Sequence, residues 1–122
     1  MLKQRKIVAV VDDDPSMLRA TESLLDANGF ATVVFASAEE FLDRGSAVQV
    51  DCLLLDIHLG GISGIELRRQ LKASGSTLPV IFMTAVDDEA THGEARKVGC
   101  VACLRKPFPA RQLIDAIEKS AL

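Results

Sequence analysis

The 122-residue sequence contains neither tryptophan nor tyrosine, and its aromatic rings are five phenylalanines and two histidines. A flavin would find no large ring to stack on, and no phosphate-cradling Gly/Ser/Thr loop follows the first apolar run, so a flavodoxin-like cofactor binder is disfavoured. Positive charge is also scarce. Fourteen Lys and Arg stand against seventeen Asp and Glu, and the only basic cluster is KQRK at 3–6. That is no footprint for a phosphate backbone, so direct nucleic-acid binding is not expected. No apolar stretch reaches the roughly 18 residues of a membrane span. The short basic start runs straight into a strand-like segment with no cleavage-site pattern, so a cytoplasmic, membrane-free protein is expected. Cysteine is limited to Cys52, Cys100 and Cys103, an odd set that does not suit a secreted disulfide scaffold. Cys100 and Cys103 form a C-x-x-C, but if Cys103 lies in a strand their Cα atoms stand about 10 Å apart, beyond the roughly 7 Å limit of a bridge. His58 and His92 supply no second pair of ligands at zinc spacing. Ordinary thiols are expected.

What the sequence does have is apolar residues in short bursts, 48% of the chain in all. IVAVV at 7–11, ATVVF at 31–35, CLLLDI at 52–57, PVIFM at 79–83 and VACL at 101–104 are continuous rather than alternating, as suits strands buried on both faces of a parallel sheet. Between them lie segments with helical punctuation. Asp14-Pro15 reads as an N-cap with proline at the first helical position, and Asn28-Gly29 as the stop. Ser37 and Glu40 have capping-box spacing. Ser63-Gly64 opens a segment with Leu67 and Leu71 on one face, Asp87 or Asp88 caps the next, and Gly99 ends it. Ala110, Leu113, Ile114, Ile117 and Ala121 form a last amphipathic stripe. The expectation is one α/β domain over residues 1–122, a doubly wound (βα)5 fold with a five-stranded parallel sheet. There is no internal repeat, low-complexity tract or linker.

In such sheets ligands bind beyond the carboxyl ends of the strands. The first run delivers Asp12, Asp13 and Asp14 there, the third Asp56, the fourth Thr84, and the fifth Arg105 and Lys106. Taken singly, each has an ordinary explanation: carboxylates at a helix start, a β-branched strand end, a solvated loop lysine. An Asp inside an apolar run is costly unless paired, however. Three clustered carboxylates repel by roughly 4 kcal/mol per pair at 4 Å and an effective dielectric near 20. Lys106 offsets part of this, and an all-oxygen acidic site favours magnesium, or manganese, over zinc. Magnesium beside a carboxylate, a lysine and a hydroxyl suggests phosphoryl transfer to an aspartate. Asp14 is read as a cap, and the imidazoles of His58 and His92 as surface groups.

The blocks VVDDDPSM, LLLDIHLGGISGIEL, MTA and RKPF, in this order and at these separations, resemble the receiver domain of two-component response regulators. The resemblance covers essentially the whole chain and implies a flavodoxin-like sheet of order 2-1-3-4-5. It implies a phosphorylation-activated switch whose Asp56 accepts phosphate from a sensor histidine kinase or histidine phosphotransfer protein. It further implies Thr84 as switch hydroxyl, Lys106 as phosphoryl contact, and Asp12, Asp13, Asp56 and the backbone carbonyl of His58 as magnesium ligands, Asp13 more directly than Asp12. The Lys106-Pro107 bond is expected to be cis. Such a domain is no enzyme beyond catalysing its own phosphorylation and dephosphorylation. It signals to a protein target through the surface of 86–104 and 109–118, as a monomer or a phosphorylation-dependent dimer. Alternatives are the receiver part of a longer DNA-binding transcriptional regulator and an aspartyl-phosphate phosphohydrolase; the latter would want a D-x-D nucleophile and a cap insertion. Two positions depart from the family pattern. Cys103 stands where an inward-swinging aromatic is usual, so coupling to Thr84 is expected to weaken or to pass through Val86, His92 and Val98. Gly60 stands where proline is common, and proline there is expected to stabilise the fold by about 0.4–1 kcal/mol and to tighten magnesium binding.

Overall fold

The five apolar runs become five parallel strands: β1 Ile7–Val11, β2 Ala31–Phe35, β3 Cys52–Asp56, β4 Val80–Thr84 and β5 Ala102–Arg105. The computed structural model describes residues 5–45 and 49–120. Helices alternate with the strands: α1 Pro15–Ala27, α2 Ala38–Arg44, α3 Gly64–Ala73, α4 Glu89–Val98 and α5 Ala110–Ser120. The sheet order is β2-β1-β3-β4-β5. None of the described helices is long and apolar enough to cross a membrane.

The punctuation explains the helix boundaries. Asp14 caps α1 by accepting the amides of Ser16 and Met17, Pro15 occupies the first turn, and Gly29 leaves it with φ +87°. The Ser37 hydroxyl accepts the Glu40 amide, but the Glu40 carboxylate turns to Arg44 instead of completing a capping box. Ser63 caps α3 and Asp88, the second of the two expected candidates, caps α4, which Gly99 ends. On α5 the core stripe is Leu113, Ala116 and Ile117, whereas Ala110 is exposed. Ala121, read as the end of that stripe, lies outside the described residues.

Successive strand residues point to opposite faces, so each strand feeds two cores. Leu53, Leu55 and Phe82 meet Phe41, Leu67, Ala95 and Val98 from α2, α3 and α4. Leu54, Ile81 and Met83 meet Leu25, Leu113 and Ile117 from α1 and α5. Burial on both faces holds for β3 and β4 throughout and for all of β1 after Ile7. It does not hold for β2 and β5, where most residues are only half-buried, because an edge strand has one neighbour and incomplete helix cover. β5 also starts one residue later than expected, leaving Val101 exposed. The register sets Asp56 opposite Met83 and Thr84 opposite Arg105, so β4 and β5 end level and β3 one residue before them at one sheet edge.

Candidate functional site

At that edge Asp12 follows β1 and is fully buried; its amide donates to Phe35 O (3.1 Å), extending the strand pairing by one residue. Its carboxylate is held on both sides. Oδ1 accepts the Asp14 amide (3.0 Å) and Oδ2 accepts Lys106 Nζ (2.8 Å). Asp56, the last residue of β3, takes the same ammonium on Oδ2 (3.0 Å) and the His58 amide on Oδ1 (3.0 Å). One lysine thus bridges two carboxylates that are 94 and 50 residues away in the chain. Asp13 is exposed at the rim and touches the site loosely, its Oδ2 accepting the Gly60 amide at 3.4 Å.

Burial pushes the Asp56 carboxyl up, and the Lys106 hydrogen bond and charge, helped by the His58 amide, pull it back only in part. For Lys106 burial acts downward, yet the bonds to Asp12 and Asp56 outweigh it and leave the ammonium above its ordinary value. The lysine is therefore charged at neutral pH.

Carboxylate oxygens of Asp12, Asp13 and Asp56 lie within 4.8 Å of one another, the only such cluster of three or more His, Cys, Asp or Glu side chains among the described residues. Three negative charges share one ammonium, and each carboxylate pair at this spacing repels by about 3.5 kcal/mol at an effective dielectric near 20. Oxygen-only donors, one of them facing solvent where water ligands have room, fit a hard divalent cation such as magnesium. The two histidines stay out of this set. His58 is exposed and contributes its amide, and His92 is half-buried with Nε2 3.3 Å from Asp87 Oδ1.

Thr84 is fully buried, but its hydroxyl serves its own loop. Oγ1 accepts the Val86 amide (3.0 Å) and donates to the Val86 carbonyl (3.2 Å). Lys106 is steadied by its amide on Thr84 O (2.7 Å), and the bond to Pro107 is cis as expected. Beside it an apolar groove of about 430 Å³ runs between Met17, Ala20 and Leu24 of α1 and Phe108. A cavity of about 640 Å³ near Phe41, Val50, Leu71 and Leu78 contains none of these site residues.

Cys103 sits opposite Phe82, half-buried against the face covered by α4. All three thiols are free and pushed up by burial, so they are protonated at neutral pH. Gly60 is not in the left-handed region and a Cβ there would meet no atom within 4 Å, so neither its φ sign nor crowding demands glycine. Proline would, however, remove the amide now donated to Asp13, a cost absent from the sequence-based expectation.

Two contacts near the site escaped the sequence reading. Gly64, read only as a helix start, packs so closely on β3 that a Cβ there would lie 2.2 Å from the Asp56 carbonyl oxygen. A glycine where a helix former is favourable was the available signal. Glu39, at the start of α2, accepts the Ile62 amide (3.0 Å), and no local sequence signal marks that contact.

Residues 8–118 match the family model described as the response regulator receiver domain. The chain is 36% identical over 113 residues to the transcriptional regulatory protein FixJ of Bradyrhizobium diazoefficiens, covering 93% of this chain and 55% of FixJ. It is 33% identical over 117 residues to the response regulator protein TodT of Pseudomonas putida, covering 96% and 52%. The crystal structure of FixJ-N superposes with a TM-score of 0.89 at 34% identity, covering 98% of this chain and 95% of that one. The chain spans about half the length of these curated relatives.

Proposed function

Because the chain belongs to the response regulator receiver family, we propose that its carboxylate at Asp56 is the phosphoacceptor of a two-component relay. Receiver domains take phosphate from kinases or phosphotransfer proteins; here an Asp56 oxygen attacks the phosphorus of a phosphohistidine whose other ring nitrogen carries a proton, the P–N bond breaks with its electron pair going to nitrogen, and neutral imidazole leaves. The product is an acyl phosphate on Asp56. Lys106, already 3.0 Å from the acceptor oxygen, moves its hydrogen bond onto a phosphoryl oxygen. Thr84 exchanges its bond to the Val86 carbonyl for one to the phosphoryl group. A magnesium or manganese ion held by Asp12, Asp13, Asp56 and the His58 carbonyl would neutralise the remaining phosphoryl charge. Asp12 keeps Lys106 pointed into the cleft throughout, and the apolar groove beside Lys106 is suited to the flank of a protein donor. Residues 1–122 act in this reading as a single receiver unit, catalysing no reaction beyond its own phosphorylation and dephosphorylation.

The observation that carries the reading is the lysine shared between two carboxylates at the strand ends. Acetyl phosphate with magnesium is expected to add one phosphoryl group to wild type and none to Asp56→Asn, read by intact mass. Equal labelling of both, or of neither, refutes it. The output is a conformational signal to a protein target through the surface of 86–104 and 109–118. Relatives named as transcriptional regulatory proteins, FixJ among them, are about twice as long and favour a DNA-binding segment as the partner that responds. Direct nucleic-acid contact by this domain forms no part of the proposal.

A further inference from the structure

The turn between Asp56 and α3 is closed by Gly64, whose amide donates to Ile57 O (2.9 Å). Within it the amides of Gly60 and Ile62 point outward to two carboxylates from different parts of the chain. Asp13 Oδ2 takes the first at 3.4 Å and Glu39 Oε2 the second at 3.0 Å. The fit around Glu39 is specific. Gly61 lies between the two amides with φ +82°, and a Cβ there would stand 2.4 Å from Glu39 Oε2, so the glycine leaves the space that the carboxylate fills. The Ile62 amide holds the Glu39 carboxyl below its ordinary value, as expected for a bond to the ionised form.

The two grips differ in what else they serve. Asp13 belongs to the acidic cluster, and its bond to the turn is long. A carboxylate drawn to a cation gives up such a bond. Glu39 is outside the cluster, so its bond survives. We propose that Glu39 is a positioning residue of the phosphoacceptor site, holding the Gly60–Ile62 turn, and with it the backbone at His58, in place when Asp13 turns to a divalent cation. This deepens the reading of Asp56 and its acidic neighbours given above and rests on it. Without the anchor only a fraction of molecules has the turn in the competent place, and apparent affinity falls by that fraction.

The test compares Glu39→Ala, which removes the acceptor, with Glu39→Gln, which removes the charge and keeps an oxygen for the Ile62 amide. Magnesium is titrated into each protein with backbone amide shifts as readout, and amide exchange at Ile62 is measured without metal. Both side chains sit on an exposed position, and a urea midpoint checks that each variant folds. Glu39→Ala is expected to weaken magnesium by roughly fivefold, the loss of one ordinary hydrogen bond, to speed exchange at Ile62, and to slow labelling at subsaturating but not saturating magnesium. Glu39→Gln is expected to stay within about twofold of wild type. Equal weakening in both variants means that charge alone matters and overturns the assignment, as does no weakening in Glu39→Ala. Wild type that neither binds magnesium nor labels on Asp56 overturns the underlying reading instead, whatever the exchange at Ile62.

Discussion

At the centre of the cleft, Asp12 and Lys106 are bound by short bonds and are almost closed to solvent, side-chain exposures being 0% and 18%. At its margin, the β4–α4 loop is exposed from Ala85 to Asp88 and is held on its outer side by Asp87, which reaches Arg105 Nη1 at 3.2 Å and His92 Nε2 at 3.3 Å with more than half of its own side chain in water. The first kind of bond is costly to break because it leaves a buried charge alone. The second contributes little to stability, since water replaces it readily. The centre of the cleft is therefore fixed, and the outer part of the β4–α4 loop is free to rearrange at low cost, as the proposed signalling through 86–104 requires.

Breaking the fixed side has the largest expected effect. Lys106→Met leaves two carboxylates without their cation and should lower stability in metal-free urea unfolding by about 3 kcal/mol; adding Asp56→Asn should restore part of the loss. Gly64→Ala comes next, because a backbone oxygen cannot step aside from a new Cβ. It should cost about 2 kcal/mol and displace the Asp56 and Ile57 amide resonances.

The margin should respond in dynamics more than in stability. Asp87→Ala is expected to change the free energy of urea unfolding by less than about 0.5 kcal/mol while raising amide exchange over 86–92. Phosphorylation should alter exchange most in that loop and less at 100–104, since Cys103 has no ring to swing inward. A large change centred on 100–104 would erase the distinction between loop and strand. The smallest effect concerns Asp88. The Thr91 amide holds its carboxyl below the ordinary value of 3.8, so its capping contribution is present above that pH and is lost as pH falls through the depressed folded value. Thr91 exchange, measured against Asp88→Asn, should rise over that acid window and not above it.

The same contrast explains what the sequence made legible. Strands and caps were readable because burial and helix ends impose local residue choices, such as Asp14-Pro15 and the run ending at Asp56. The cleft was readable because charges that follow apolar runs collect at one edge, and the receiver motifs assigned them roles. Glu39 and Asp87 were not, since a carboxylate near a helix start looks like a cap and its partner lies elsewhere in the fold. The partial exposure of β2 and β5 was missed because an apolar run carries no mark of its place at the sheet edge.

The Thr84 hydroxyl is at once donor and acceptor to Val86. In the proposed relay this hydroxyl reaches a phosphoryl group only by giving up its bond to the Val86 carbonyl, so the Ala85–Val86 backbone would be displaced by the same event. Side chains at 85 and 86 that never meet the phosphate would then set what that displacement costs, and changes there would alter the response without touching the proposed acceptor.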